Sequence, residues 1–316
     1  MTAVVLAALA ASARAVAHRP PGEVCVCGSG DAVLADRSDA TVVRHGDVVA
    51  KAHAVETDPA DLAARLDVAA RLSGVLLAPS APRATRLHGR LVTFWPHGTP
   101  VDRDDPDAAP WEAAGALLAR LHAAPLPHPL PPMRGPAKAA RAVARLLAAQ
   151  GSRSAAAPVL RAWAALPAWA RDEAPAPGPH ALCHGDLHLG QLVRGPGGRW
   201  LLIDVDDLGA GDPAWDLARP AAWFACGLLS PEEWTRFLDA YRDAGGPAVP
   251  GDGADPWPAL DVPARALTVQ TAALAITKAV AADRALDEVE QALVDACVRM
   301  SGVEARPPEL APDATK

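Results

Sequence analysis

Three stretches in the second half of the chain carry side chains whose types and spacing can do chemistry. They are His184-Gly185-Asp186-Leu187-His188-Leu189-Gly190-Gln191, Ile203-Asp204-Val205-Asp206 and Gly211-Asp212-Pro213-Ala214-Trp215-Asp216-Leu217-Ala218. Phosphoryl transfer needs a carboxylate that orients the attacking hydroxyl and takes its proton. It also needs oxygen ligands that hold a divalent metal against the phosphates. Asp186 and Gln191 are five positions apart, so one loop can offer both a base and an amide oxygen, and the turn Gly195-Pro196-Gly197-Gly198 brings Asp204 back beside them. Converging oxygen donors suit magnesium, a hard ion. A rival reading takes His184, Asp186 and His188 as the H-x-D-x-H ligands of a metallohydrolase, but it leaves the two downstream stretches without a role. Asp206 and Asp207 read equally as contacts to metal or substrate and as solvated turn residues. Trp215, Trp223 and Phe224 read as core before substrate platform.

The elements that must position these residues follow from periodicity and turn chemistry. An apolar stretch over about 1–19 reads as a surface helix with Val4, Val5, Leu9 and Val16 toward its buried side. VLADR (33–37), TVVRH (41–45) and DVVAKAH (47–53) read as strands, with a hairpin turn at Gly46. Residues 58–74 read as a helix capped by Asp58, with Pro59 at its first position and Gly74 at its end. Its Leu62, Leu66, Ala69 and Leu72 share one face. Residues 84–95 make a further hairpin, and Pro96-His97-Gly98 is the crossing into a mainly helical region. That region has helices predicted at 109–123, 136–150, 155–165, 167–173, 213–226, 231–244, 263–281 and 284–301. Residues 181–194 and 199–205 form a hairpin within it. The expected organisation is a strand-rich lobe over 1–98, a helical lobe over 99–301 and a loose tail over 302–316.

Composition narrows the function classes. The 316 residues are half hydrophobic, enough for a sizeable core, and the net charge of −7 argues against nucleic acid as the main partner. No stretch has the uninterrupted apolar length of a membrane span. Five scattered cysteines argue against a disulfide framework and for a reducing, cytoplasmic setting. Cys25 and Cys27 form a lone C-x-C, short of a zinc ligand set.

The motifs H-G-D-x-x-x-x-Q, I-D-x-D and G-D-P-x-x-D-L-A at this spacing resemble the aminoglycoside phosphotransferase and choline kinase superfamily. The resemblance spans about residues 33–300 and implies an α+β, bilobal protein-kinase-like fold, with a small strand-rich N-terminal lobe and a larger, mainly helical C-terminal one. It implies an ATP-dependent small-molecule kinase acting on a hydroxyl of an aminoglycoside, amino sugar or sugar, with Mg²⁺. By resemblance Asp186 is the catalytic base and Gln191 and Asp204 bind metal. Lys51 holds the nucleotide phosphates, and His184, His188, Asp206, Asp212 and Asp216 support the loop. Phe94 and Trp95 lie in the strand that meets adenine through backbone groups, and the turn at Arg37, Ser38 and Asp39 covers the phosphates.

Two departures stand out. Gln191 occupies the place where most of the superfamily has Asn, a variant similar to maltokinases and actinobacterial glucosamine kinases. The helix after Lys51 lacks a central Glu, leaving Glu56, Asp61 or Asp67 as its expected partner. These departures keep a second reading open, a catalytically weak kinase-like protein that binds a metabolite.

Overall fold

The computed structural model describes residues 3–18, 30–37, 39–102, 104–105, 108–149, 153–177, 180–251 and 253–300. Cys25, Cys27, Ser38 and the 302–316 tail lie outside them.

The N-terminal region is strand-rich. Helix α1 (Ala3–Ala17) precedes β1 (Asp31–Asp36), β2 (Thr41–His45) and β3 (Val48–Ala52). Helix α2 (Pro59–Arg71) follows, then β4 (Thr85–Leu87) and β5 (Arg90–Pro96). The strands form one antiparallel sheet in the order β1-β2-β3-β5-β4. Helix α1 lays Leu9, Ala10 and Ala13 on Val43, Ala50, Val92 and Phe94 of that sheet. Val4, expected inside, is exposed. It precedes Leu9 by five residues and so falls well out of phase with the buried stripe.

Helix α2 begins as its sequence predicts. Asp58 accepts hydrogen bonds from the Ala60 and Asp61 N–H groups, with Pro59 at the first position, a cap worth about 1 kcal/mol. Its Leu62 and Leu66 pack on Leu91.

The rest of the chain is mainly helical. It comprises β6 (Thr99–Pro100), α3 (Trp111–His122), α4 (Gly135–Ala148), α5 (Arg153–Ala164), a 3-10 turn at Ala168–Arg171 and β7 (Ala181–Cys183). A second 3-10 turn at Leu189–Gln191 leads into β8 (Leu192–Arg194), β9 (Trp200–Leu202) and β10 (Gly209–Gly211). Helices α6 (Ala214–Ala225), α7 (Pro231–Asp243), α8 (Trp257–Ala281) and α9 (Glu288–Met300) follow. Helix α8 buries residues around most of its circumference, as a central helix must. It starts six residues earlier than periodicity predicts. Pro258 sits in its first turn and Pro263 inside it, and both disguise its beginning.

The expected hairpin over 181–205 is two structures. Strands β8 and β9 pair through the Gly195–Gly198 turn, whereas β7 pairs with β10. Strand β6 joins β8, and Leu77 N–H donates to the Leu202 carbonyl, so the chain leaving α2 is stitched to this small sheet. Gly98 is buried against Val193, where a Cβ would come within 2.4 Å of Cγ2, so only glycine lets the crossing segment lie on β8.

Among the described residues Cys183 and Cys226 are free thiols, and no helix is long and apolar enough to cross a membrane.

Candidate active site

The loop after β7 is held from below by one buried carboxylate. Asp216, in the first turn of α6, accepts the main-chain N–H of His184 at 2.6 Å and of Gly185 at 2.7 Å, and the His122 ring at 3.0 Å. The protons along this chain can be assigned. The Tyr241 hydroxyl accepts the Ala248 N–H at 2.9 Å, so its own hydrogen goes to His122 Nδ1 at 2.8 Å, and His122 Nε2–H points to Asp216. Burial, the largest influence on the Asp216 carboxyl, pushes its pKa up. The His122 hydrogen bond, the largest opposing influence, and the Gly185 N–H help hold it below its ordinary value. His122, Cys183 and Asp216 bring ligand atoms within 4.8 Å of one another, but both His122 nitrogens are engaged, and the group is a hydrogen-bonded core.

From above, His184 Nε2 meets the Ile203 carbonyl at 2.8 Å, and Ile203 N–H donates to the Gln191 carbonyl at 2.9 Å. These two bonds bring the 184–191 loop and Asp204 together. Gly185 has φ +84, and a Cβ there would lie 2.3 Å from the Asp207 carbonyl oxygen, so the H-G-D glycine is a packing requirement. His188 Nδ1 accepts the Gly190 N–H at 3.1 Å. Burial, then the Arg219 charge, depress its pKa to about 4. With His184 turned to Ile203 and His188 to its own loop, the H-x-D-x-H ligand reading finds no support in the geometry.

Both oxygens of Asp186 are engaged. Arg219 of α6 donates to Oδ1 at 2.7 Å, and Lys138 of α4 meets Oδ2 at 2.8 Å. Arg219 also donates to the Leu187 carbonyl, and Lys138 bridges to Asp207 at 2.7 Å. Burial, the largest influence, raises the Asp186 pKa, but the two cations outweigh it and leave the carboxyl below its usual value.

Asp204 adopts φ +65, left-handed and rare for a residue with a Cβ. Lys51 Nζ lies 2.7 Å from Asp204 Oδ1 and 2.9 Å from Asp206 Oδ2. Burial is the strongest single influence on Lys51 and works against its charge; the two carboxylates more than reverse it, so its pKa is raised. None of Glu56, Asp61 and Asp67 is the partner. Helix α2 turns Arg65 inward instead, and its Nε donates to the Leu208 carbonyl at 2.8 Å.

Asp206 is no solvated turn residue. It also lies 3.1 Å from His53 Nδ1, close but off-axis for a hydrogen bond. The far side of that ring meets Thr93, whose hydroxyl accepts the Trp95 indole N–H at 2.9 Å.

The remaining predicted residues divide. The Phe94 ring is in the sheet core and its carbonyl accepts the Ser80 N–H. Arg37 and Asp39 are exposed at the β1–β2 turn, and among the described residues no hydrogen bond or ion pair joins their side chains to the cluster. Asp212 accepts the Ala214 N–H at the start of α6 and, with His122 and His180, lines a cavity of about 460 Å³. Lys138, Arg219, Arg65 and His53 carried no motif and were not anticipated. A Lys or Arg lining a helix reads as surface until the fold shows what it faces.

The donor set fits a hard cation. Gln191 offers an amide oxygen. The contacts to Asp204 fall on Oδ1, leaving Oδ2 without a hydrogen-bond partner among the described residues.

Comparison with known proteins agrees with this architecture. A family model described as the phosphotransferase enzyme family matches residues 31–260. None of the curated sequences compared with the chain matches significantly. Among solved structures, a choline/ethanolamine kinase family protein from Mesorhizobium loti is 19% identical, with 95% of each chain covered and a TM-score of 0.57. A thermostable mutant of aminoglycoside phosphotransferase APH(4)-Ia is 14% identical over 88% of this chain and 96% of that one, with a TM-score of 0.59. An ethanolamine kinase from Plasmodium vivax is 12% identical over 88% and 83%, with a TM-score of 0.54. Identities this low speak to a shared fold, the α+β arrangement of kinase-like proteins.

Proposed function

The chain belongs to the phosphotransferase enzyme family, and from that premise we propose that it transfers the γ-phosphoryl group of ATP to a hydroxyl of a small molecule. The observation that carries this reading is the meeting of Lys51 with Asp204 at 2.7 Å. A phosphate-holding cation from the sheet and a metal-holding carboxylate from the loop stand side by side.

Nucleotide sits between a strand-rich lobe, residues 1–98, and a helical lobe, residues 99–301. The crossing at 96–98 lies beside adenine, and Arg37 and Asp39 approach the phosphates. Lys51 leaves its two carboxylates in part to hold the α- and β-phosphates. Gln191 and Asp204 hold Mg²⁺, which when bound neutralises phosphate oxygens. Asp186 accepts a hydrogen bond from the acceptor hydroxyl and aims its oxygen at the γ-phosphorus. The new P–O bond forms as the bond to the β-bridging oxygen breaks, and ADP leaves with that electron pair. The hydroxyl proton passes to Asp186 and on to solvent. Its lowered pKa makes Asp186 a weak base, so positioning and charge neutralisation supply most of the acceleration. His184 and Asp216 hold the loop in place.

The test is nucleotide consumption with Mg²⁺ across a panel of sugars, amino sugars, aminoglycosides and amino alcohols. Phosphorylated product from at least one member is expected. Mg²⁺-ATP binding without transfer to any of them would favour the metabolite-binding reading. Failure to bind Mg²⁺-ATP would remove the phosphotransferase reading.

A further inference from the structure

Resting on the phosphotransferase reading, we infer that the acceptor is an anionic alcohol, a small hydroxyl compound bearing a carboxylate or phosphate, which Arg134, Lys138 and Arg219 hold beside Asp186. The argument is one of charge at the place where the hydroxyl must sit. An acceptor oxygen aimed by Asp186 lies next to whatever else touches that carboxylate. Here one oxygen takes Arg219 and the other Lys138. Lys138 also reaches Asp207 at 2.7 Å, and Arg134, one turn earlier, stands 3.6 Å from the same carboxylate. Three cations thus face two carboxylates.

The cations are reachable. The Arg134 side chain is 40% exposed and that of Lys138 25%. Among the described residues Arg134 has only the long contact to Asp207. Lys138 has three N–H groups and spends two of them on carboxylates, so a donor remains. Arg219 has committed Nε and one terminal nitrogen.

An ammonium-bearing acceptor would bring like charge against this surplus, and the two carboxylates that could offset it are already paired. Juxtaposed like charges across a recognition surface are strongly disfavoured. An acceptor carboxylate or phosphate finds a fork-shaped donor in Arg134 and a point charge in Lys138, the geometry these groups use for such anions.

The test keeps the carbon skeleton nearly constant and varies charge. D-Glucosamine, D-glucose, D-gluconate and D-glucose 6-phosphate are compared as acceptors with saturating Mg²⁺-ATP. Each is also titrated calorimetrically into enzyme saturated with Mg²⁺ and AMP-PNP. The expectation is that kcat/KM or affinity for gluconate or glucose 6-phosphate exceeds that for glucosamine at least tenfold. The carboxylate and phosphate arms show which group the site prefers. Arg134→Gln should cut that preference several-fold while leaving Mg²⁺-ATP affinity unchanged. Preference for glucosamine, no interaction with either anion, or an unchanged preference in Arg134→Gln would each overturn the proposal. Preferential transfer to glucosamine would do so while upholding the phosphotransferase reading, whereas failure to bind Mg²⁺-ATP would strike that reading itself.

Discussion

Lys51 and Asp206 form an ion pair of 2.9 Å across the junction between the sheet and the Asp204 loop, in a chain whose α2 offers Lys51 no carboxylate. Asp206 therefore supplies from the loop the carboxylate that α2 does not, and it fixes the position of the ammonium. A hydrogen bond to a charged group contributes about 1.5–3 kcal/mol. Asp206→Asn should weaken Mg²⁺-ATP binding roughly tenfold, and Lys51→Met by about tenfold or more, as read by calorimetry. Unchanged affinity in both variants would exclude this pairing from nucleotide recognition.

Asp186→Asn keeps the side chain's size and removes its charge. Turnover should fall by about 10²–10⁴-fold, with Mg²⁺-ATP affinity altered less than about twofold. Steady-state kinetics paired with nucleotide titration separates the two effects. Near-normal turnover would show that another group orients the hydroxyl.

Gly185→Ala adds a methyl that would meet the Asp207 carbonyl at 2.3 Å on a backbone at φ +84. Steric and conformational strain of this kind costs on the order of 1–3 kcal/mol. Chemical denaturation should register a loss of that size, together with reduced turnover from a displaced Asp186. Wild-type stability would mean that the loop shifts freely.

Tyr241→Phe strips the hydroxyl between the Ala248 N–H and His122. Each stranded buried group costs about 1–3 kcal/mol, so denaturation midpoints should drop clearly while nucleotide affinity is retained in the folded fraction. No change in midpoint would mean that water replaces the hydroxyl at full value.

Acid stability should track Asp216. Its folded pKa lies below the unfolded value of about 3.9. The stabilisation is therefore fully present above about pH 4 and is lost as pH falls through the lower, folded-state pKa. Denaturation at stepped pH should show this acid limb, and Asp216→Asn should be less stable at pH 7 with a shallower limb. An identical acid limb in the variant would assign the pH dependence to other carboxylates.

Much of the fold was written in local signals. The cap at Asp58, the stripe Leu62–Leu66 and the Gly46 turn each depend on neighbours within a few positions, and each element formed where its residues predict. The H-G-D loop and its meeting with Asp204 were legible for a similar reason, because a short hairpin returns the chain. Contacts spanning long loops were not legible. Strands β7 and β10 are three residues each, too short for a periodicity to register, and pair across 26 positions (183 to 209). Lys138 and Arg65 sit on amphipathic helices at positions indistinguishable from solvated ones, and only packing shows that each faces a carboxylate or carbonyl. The partner of Lys51 was sought on or just before the next helix because the family resemblance places it there. It is 155 residues away, at Asp206.

Arg65 has a mechanical consequence. Its buried guanidinium spans from α2 to the Leu208 carbonyl, so any swing that parts the sheet from the loop must first uncouple that clasp. At about 1.5–3 kcal/mol for such a bond, the splayed arrangement is disfavoured by roughly ten- to a hundredfold.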